Sequence, residues 1–436
     1  MSNAINEEEK GKNEPLVNDA PEDSTSKTKL ILLYGGTVGG MLLVVIIVFI
    51  ISLKVGGSSE ANSEESTNEN IEAIYTTTKD KVSVKLMSEK FSDQISYILV
   101  DKGENKTFSE NFEFSTAGNH TVKFFFKEKL TTMEEMFKDC TSLKELKIKN
   151  LDTSDVTNMK GVFNNCLNLT SVNLSNITTS KVNDMSYLFY NCFQLKSLDL
   201  KNFDTSNVQN MENMFVSCTG LTELKLENFD TKKVANMNYM FHRLINIKSL
   251  DLSKFDTSLV SSMEGMFDDC TSLESLDLSK FDTSNVKTMS LMFASCNKLN
   301  KLDLKSFDTK NVNDMHNMFY GCSKLSEVDC SSFDTTSLTD MSGMFYQCQG
   351  LTSLDLSNFE TPKVKNMNQI FGYCSNLENL NIKNFNTDSL DKEATTTLFL
   401  EMKEKGKIIF DSSKFDTSLF TNTTLDDWEQ EDTSSE

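Results

Sequence analysis

One position of this chain recurs every 26 residues: Cys140, Cys166, Cys192, Cys218, Leu244, Cys270, Cys296, Cys322, Cys348 and Cys374. Ten uninterrupted copies exclude a fold built round one globular core, because each unit is too short to bury its own apolar set and must stack on its neighbours. A representative unit runs Phe281-Asp282-Thr283-Ser284-Asn285-Val286, then Met289, Met292, Phe293, Cys296, Leu299, Leu302, Leu304 and Phe307. Spacings of three and four from Val286 to Cys296 predict a short helix, with Thr283 or Ser284 as its N-cap. Alternation around Leu302 and Leu304 predicts a short strand. Strands stack about 4.8 Å apart whereas helices need roughly 8 to 10 Å, so strand-turn-helix units must curve with the strands inside. The expected fold class is a curved α/β repeat solenoid with a parallel concave sheet.

The flanks read differently. Residues 1–28 are polar and acidic and are expected to be a cytoplasmic tail. Leu30 to Leu53 is a 24-residue run without a charge, long enough to span a bilayer, so 29–54 is expected to be a transmembrane signal-anchor helix. Lys27 and Lys29 before it, against Lys54 alone after it, favour a cytoplasmic N-terminus with the repeats outside. The expectation is therefore a single-pass plasma-membrane protein with extracellular repeats. Gly35, Gly36, Gly39 and Gly40 form two overlapping GxxxG pairs, the spacing at which two membrane helices pack into a homodimer. Residues 55–78, rich in Gly, Ser, Asn and Glu, suggest a flexible stalk. Alternation at Val82, Val84, Leu86 and Val122, Phe124, Phe126 predicts a β-rich cap over 79–130. The solenoid is assigned to 131–420 with a degenerate last unit from about Lys407 to Ser418, and 421–436 to an acidic C-terminal tail. Sequons begin at Asn105, Asn119, Asn168, Asn173, Asn176 and Asn422, all after the apolar run, and mark candidate glycosylation sites.

A formal net charge of −21 argues against nucleic acid and for basic partners or cations. Catalytic patterns are missing: there is no His-Glu-x-x-His, no Gly-x-Ser-x-Gly and no Gly-Lys-Ser/Thr loop. His120, His242 and His316 are scattered, so neither a metal cluster nor a cofactor is expected. The cysteines are expected as buried free thiols, because equivalents on a helix side would lie beyond the roughly 4.4 to 6.8 Å Cα separation of a disulfide. Leu244 in the same slot, and Cys330 in a slot held elsewhere by Leu304 and Leu356, treat Cys as a small apolar residue. Met266-Phe267 and Met318-Phe319 read as core.

Residues between the two strand leucines should face outward on the concave side. Five consecutive aspartates stand there: Asp251, Asp277, Asp303, Asp329 and Asp355. Unit charges about 5 Å apart repel by roughly 0.8 kcal/mol even in water, so this ladder is a candidate site for a basic ligand or divalent cations. Lys254, Lys280 and Lys305 are its alternative neutralisers. A second row, Asp204, Asp230, Asp256, Asp282, Asp308 and Asp334, reads as structural, capping the expected helices.

The L-x-x-L-x-L run Leu299-Asn-Lys-Leu302-Asp-Leu304 fits the leucine-rich repeat pattern. Leu-Asp-Leu-Ser-Lys-Phe-Asp-Thr-Ser at 276–284, with Met289 and Met292-Phe293-Ala-Ser-Cys296, resembles the BspA-like leucine-rich repeats of bacterial surface antigens, mycoplasma lipoproteins and protist surface proteins. The match spans about 136–388. It implies a solenoid displayed at a cell surface, binding protein or glycan ligands, and no catalytic residue. It departs from ordinary leucine-rich repeats where Phe307 and its equivalents replace Asn or Cys, and the Asp-Thr pair after each Phe is the candidate to hold that turn. The function these readings support is non-enzymatic surface recognition or adhesion; the alternative is a scaffold acting by self-association or luminal partners.

Overall fold

The computed structural model describes residues 70–391, 397–420 and 424–435. The chain divides into two units, Met1–Glu65 and Ser66–Glu436, and every described residue belongs to the second. That unit is a β-solenoid of about eleven coils. It begins with β1 (Ile71–Thr77), β2 (Val82–Lys85), β3 (Ile95–Val100), β4 (Asn105–Lys106), β5 (Asn111–Phe114) and β6 (Gly118–Phe126). β1 pairs antiparallel with β6 on one side and with β7 (Leu143–Ile148) on the other. β7 in turn pairs in parallel with β8 (Ser171–Asn173), so the cap sheet runs directly into the strand side of the coils. β1 falls inside the segment 55–78 expected to be a stalk.

The same strand side continues through β9 (Lys301–Asp303) and β10 (Glu327–Asp329), then β11 (Ser353–Asp355), β12 (Asn379–Asn381), β13 (Lys407–Phe410) and β14 (Glu429–Asp432). Register follows the sequence period: Leu302 pairs with Val328 and Leu354 with Leu380, each 26 residues on. Between β12 and β13 the offset is 28, Leu380 facing Ile408, so two extra residues enter the closing coil.

The expected helix from Val286 to Cys296 is absent, and this corrects the fold class. Two features forbid it. Met289, Leu291, Phe293 and Ser295 donate their backbone N–H groups to Asp314, His316, Met318 and Tyr320 of the next coil, at 2.6 to 3.0 Å. An α-helix would keep those donors for its own carbonyls four residues back. Leu291 and Ser295 also hold φ of 58° and 56°, a left-handed conformation that costs an L-residue roughly 1–2 kcal/mol and breaks a right-handed helix. The same two slots are left-handed in every coil from Glu135 and Asp139 to Gln369 and Tyr373. Glycine suits them: at Gly265, φ is 56° and a Cβ would meet the Tyr239 ring at 2.1 Å. Met292, Ala294 and Cys296 bond back three residues instead. The three-and-four spacing of Met289, Met292, Phe293 and Cys296 is thus the inward spacing of a run of tight turns. Helical structure among the described residues is confined to short 3-10 turns such as Glu89–Phe91 and Thr417–Phe420.

With the helices goes the argument for a concave strand face, since both sides of a coil repeat at backbone-pairing distance. Phe137, Phe163, Phe189 and their successors to Phe399 form a continuous buried ladder, ring centroids 5.4 to 6.2 Å apart and nearly parallel. Phe124 of β6 meets its first ring edge-on, so the cap seals the apolar end. The cysteines form a second ladder of free, buried thiols. From Cys166 onward, each cysteine of the 26-residue slot donates to the Phe carbonyl of the preceding coil, as Cys296 does to Phe267 at 3.2 Å and Cys322 to Phe293 at 3.0 Å. A third ladder is of buried threonines. The Thr283 hydroxyl accepts from the Asp308 N–H at 2.8 Å and donates to the Asp308 carbonyl at 2.9 Å. This rung holds the turn after each Phe, in place of the asparagine ladder of ordinary leucine-rich repeats.

The single-pass membrane placement is likewise withdrawn. Among the described residues no helix is long and apolar enough to cross a membrane, which leaves the transmembrane helix, the localisation built on it and the homodimer through it without support. Leu30 to Leu53, Gly35, Gly36, Gly39 and Gly40 lie outside the described residues.

Candidate binding surface

Each coil turns three corners, and in most coils a short polar side chain holds the corner by accepting the N–H two residues ahead. At the first, Asp277 accepts from Ser279 at 3.0 Å; at the second, Asp282 accepts from Ser284 at 2.9 Å; at the third, Asp314 accepts from His316 at 3.0 Å. These corners account for the heavy use of Asp, Asn, Ser and Thr. The expected aspartate ladder is the first corner. Oδ1 of Asp251, Asp277, Asp303, Asp329 and Asp355 accepts from Ser253, Ser279, Lys305, Ser331 and Ser357 at 2.9 to 3.1 Å. Asn173 and Asn381 do the same at their own corners, so where this bond is made an uncharged oxygen acceptor serves as well as a carboxylate.

Asp251, Asp277, Asp303 and Asp355 are exposed and Asp329 is half-buried. Hydrogen bonds from Ser253 hold the Asp251 carboxyl below the usual carboxylate range, and those from Ser279 and Ser331 do so for Asp277 and Asp329. All three are therefore ionised at neutral pH. Among the described residues only Asp329 of the row is ion-paired, with Lys305 at 3.3 Å; Lys254 and Lys280 act on Asp251 and Asp277 from further off. The second row sits at the second corner, where Ser206, Ser258 and Thr336 hydroxyls add bonds at 2.6 Å to Asp204, Asp256 and Asp334. These carboxylates hold turns; the helices they were expected to cap do not occur at these positions.

Of the sequons, Asn105, Asn119, Asn168, Asn173 and Asn176 are exposed, and Asn422 lies outside the described residues. The amides of Asn168 and Asn176 donate to Thr141 and Lys149 carbonyls of the preceding coil at 2.8 and 3.0 Å, an inter-coil role shared by Asn202, Asn285 and Asn311. No group of His, Cys, Asp and Glu able to hold a metal occurs among the described residues. His242 pairs with Asp268 of the next coil and His316 with Asp314 of its own. Burial pushes the thiols of Cys218, Cys270, Cys322 and Cys374 up to about 12, which removes them from nucleophilic chemistry.

Sequence reasoning missed one cluster. Tyr320, Tyr346 and Tyr373 come together on the turn side, Tyr320 and Tyr346 stacked at 5.0 Å and Tyr373 across Tyr346 at 5.3 Å and 66°. The signal was in the non-core positions between the Met, Phe and Cys of each unit, which a helical reading treats as a solvated face.

No curated protein matches this chain. Two solved structures are similar to it at low level. A leucine-rich cell surface protein from Faecalibacterium prausnitzii A2-165 has 15% identity and a TM-score of 0.21, covering 50% of this chain and 74% of that one. The functional domain of InlJ from Listeria monocytogenes, described as including a cysteine ladder, has 14% identity and a TM-score of 0.19, covering 73% and 76%. The family described as Mycoplasma protein of unknown function, DUF285, matches residues 106–223, 217–326 and 296–409. That range takes in all ten cysteine-slot repeats, and the expected repeat-protein family is upheld: the chain belongs to the DUF285 family.

Proposed function

We propose that this chain is a non-enzymatic recognition or adhesion module that works at a cell surface, binding a basic macromolecular ligand along the aspartate row of its strand side. The observation that carries this reading is the division of labour within each carboxylate. One oxygen is committed to the turn, yet the slot keeps Asp in five successive coils where Asn serves the turn equally well at Asn173 and Asn381. The charge is surplus to folding. A row of carboxylates at strand spacing, of which only Asp329 is ion-paired among the described residues, suits a partner with lysines or arginines on a matching surface.

The test separates charge from turn. Asp277→Asn, Asp303→Asn and Asp329→Asn together keep three acceptors and remove three charges. With polylysine as the probe, the full chain is expected to bind in low salt, weaken as salt rises, and lose about tenfold or more in the triple variant at an unchanged melting temperature. Equal binding by the triple variant would refute the row as the site. Concentration-dependent self-association of the unmodified chain, with no binding of the probe, would favour the scaffold reading.

A further inference from the structure

The turn side carries a surface of a different kind from the aspartate row, and its boundary lies partway along the solenoid. Each coil has four positions there between its inward Met, Met, Phe and Cys, such as 290, 291, 294 and 295 in the unit containing Cys296. In the first six coils these 24 positions hold ten Asp, Glu, Lys or Arg residues, from Glu134 to Asp269. In the next four coils, Ser290 to Tyr373, the 16 equivalent positions hold none. A chain of net charge −21 thus keeps these sixteen positions free of Asp, Glu, Lys and Arg, with His316, beside Asp314, as their one histidine.

Tyr320, Tyr346 and Tyr373 stand in that face. Rings one coil apart and within 6° of parallel overlap as offset plates, and Tyr373, 36% exposed, stands across the end of the stack. The corner exists because Gly372 takes the slot where a third stacked ring would sit; a Cβ there would meet the Tyr346 ring at 2.8 Å. Polar groups around it are unspent. Among the described residues the hydroxyls of Tyr320, Tyr346 and Tyr373 and the side-chain amides of Gln347 and Gln369 have no hydrogen-bond partner. Two tyrosines of the charged half differ: Tyr187 donates to Glu212 at 3.3 Å and Tyr239 to Glu264 at 2.8 Å.

We infer that this face is a second binding site, for a neutral glycan. Ring faces pack against the C–H faces of sugars, and amides and hydroxyls bond sugar hydroxyls. The absence of charge selects an uncharged polyhydroxylated ligand over a nucleic acid, an anionic lipid surface or a charged protein patch. The coil repeat along the tyrosine column, 5.0 Å between rings, is close to the length of one pyranose unit in an extended chain. Ligand class and face both differ from those of the aspartate row, so the two sites stand or fall separately.

A net charge of −21 will carry the full chain toward the anode in a native gel, which permits affinity electrophoresis through gels containing glycogen, laminarin, galactomannan or dextran. Retardation by at least one of these is expected, with the dissociation constant raised about tenfold or more by Tyr373→Ala. Gln347→Glu places a charge in the face without touching the core and is expected to weaken retardation similarly at an unchanged melting temperature. The triple aspartate variant of the strand side should be retarded as the unmodified chain is. Absence of retardation by all four polysaccharides, or retardation that survives both Tyr373→Ala and Gln347→Glu, would overturn the assignment. So would retardation lost only in the aspartate variant.

Discussion

The strand side and the turn side of each coil are built from the same kind of sequence and reach the same spacing by different routes. On the strand side, Leu302 and Leu304 bury alternate side chains from extended backbone, and ladder bonds run to Val328 and its neighbours. On the turn side, Met289, Met292, Phe293 and Cys296 bury side chains at helical intervals, yet every second N–H leaves for the next coil. Periodicity reports which residues face inward; it does not report where the backbone donors go. Two left-handed residues per coil distinguish the cases.

Several substitutions would test this contrast. Phe293→Ala removes one plate of the continuous ring ladder and should cost about 3–5 kcal/mol, seen as a lower urea midpoint. Leu304→Ala on the strand side falls in the similar range of about 2–5 kcal/mol, and a turn side that lost far less would be loosely packed. Thr283→Val keeps volume but strips both bonds from Asp308, leaving its N–H and carbonyl unsatisfied, and should cost about 1–3 kcal/mol. Ser295→Gly discriminates by sign. At φ of 56° glycine relieves strain and should stabilise by up to about 1 kcal/mol, whereas in a helix interior it would destabilise by a similar amount. Far-UV circular dichroism of the same variant should lack helical minima.

The smallest effect per residue is that of acid. The second-corner carboxylates Asp204, Asp256, Asp282 and Asp334 are held below the usual range by Ser206, Ser258, Ser284 and Thr336. A depressed folded-state pKa gives stability that is present above the unfolded value, near 3.9, and lost as pH falls through the folded one. The melting temperature should therefore be flat from neutral pH to about 5 and decline below about 4. A decline beginning near pH 6 would implicate histidine instead.

Much of this was legible in the sequence. The 26-residue slot of Cys140 to Cys374 carried the stacking and the core positions, and Leu244 and Cys330 marked the cysteines as packing residues. Asp277 was rightly placed outside the core; that its Oδ1 serves a turn was not visible, because Asp and Asn fill that role alike. The helix was misread because Leu291, Tyr239 and Arg243 are residues for which a left-handed conformation is not expected. Inter-coil bonds impose it there, and a single unit viewed alone does not contain them. The tyrosine corner was missed for a related reason: Tyr320, Tyr346 and Tyr373 are 26 and 27 residues apart, neighbours only once the coils are stacked.

The thiol, hydroxyl and amide rungs all reach one coil away at fixed offsets, 29, 25 and 27 residues for Cys296, Thr283 and Asn285. Removing or adding any whole unit between the cap and the closing coil presents each rung with a partner of the same kind. Array length is therefore a neutral variable for folding. Unequal recombination between units could lengthen or shorten the charge-free stretch relative to the charged one, and so retune what the surface binds while the fold stays silent to the change.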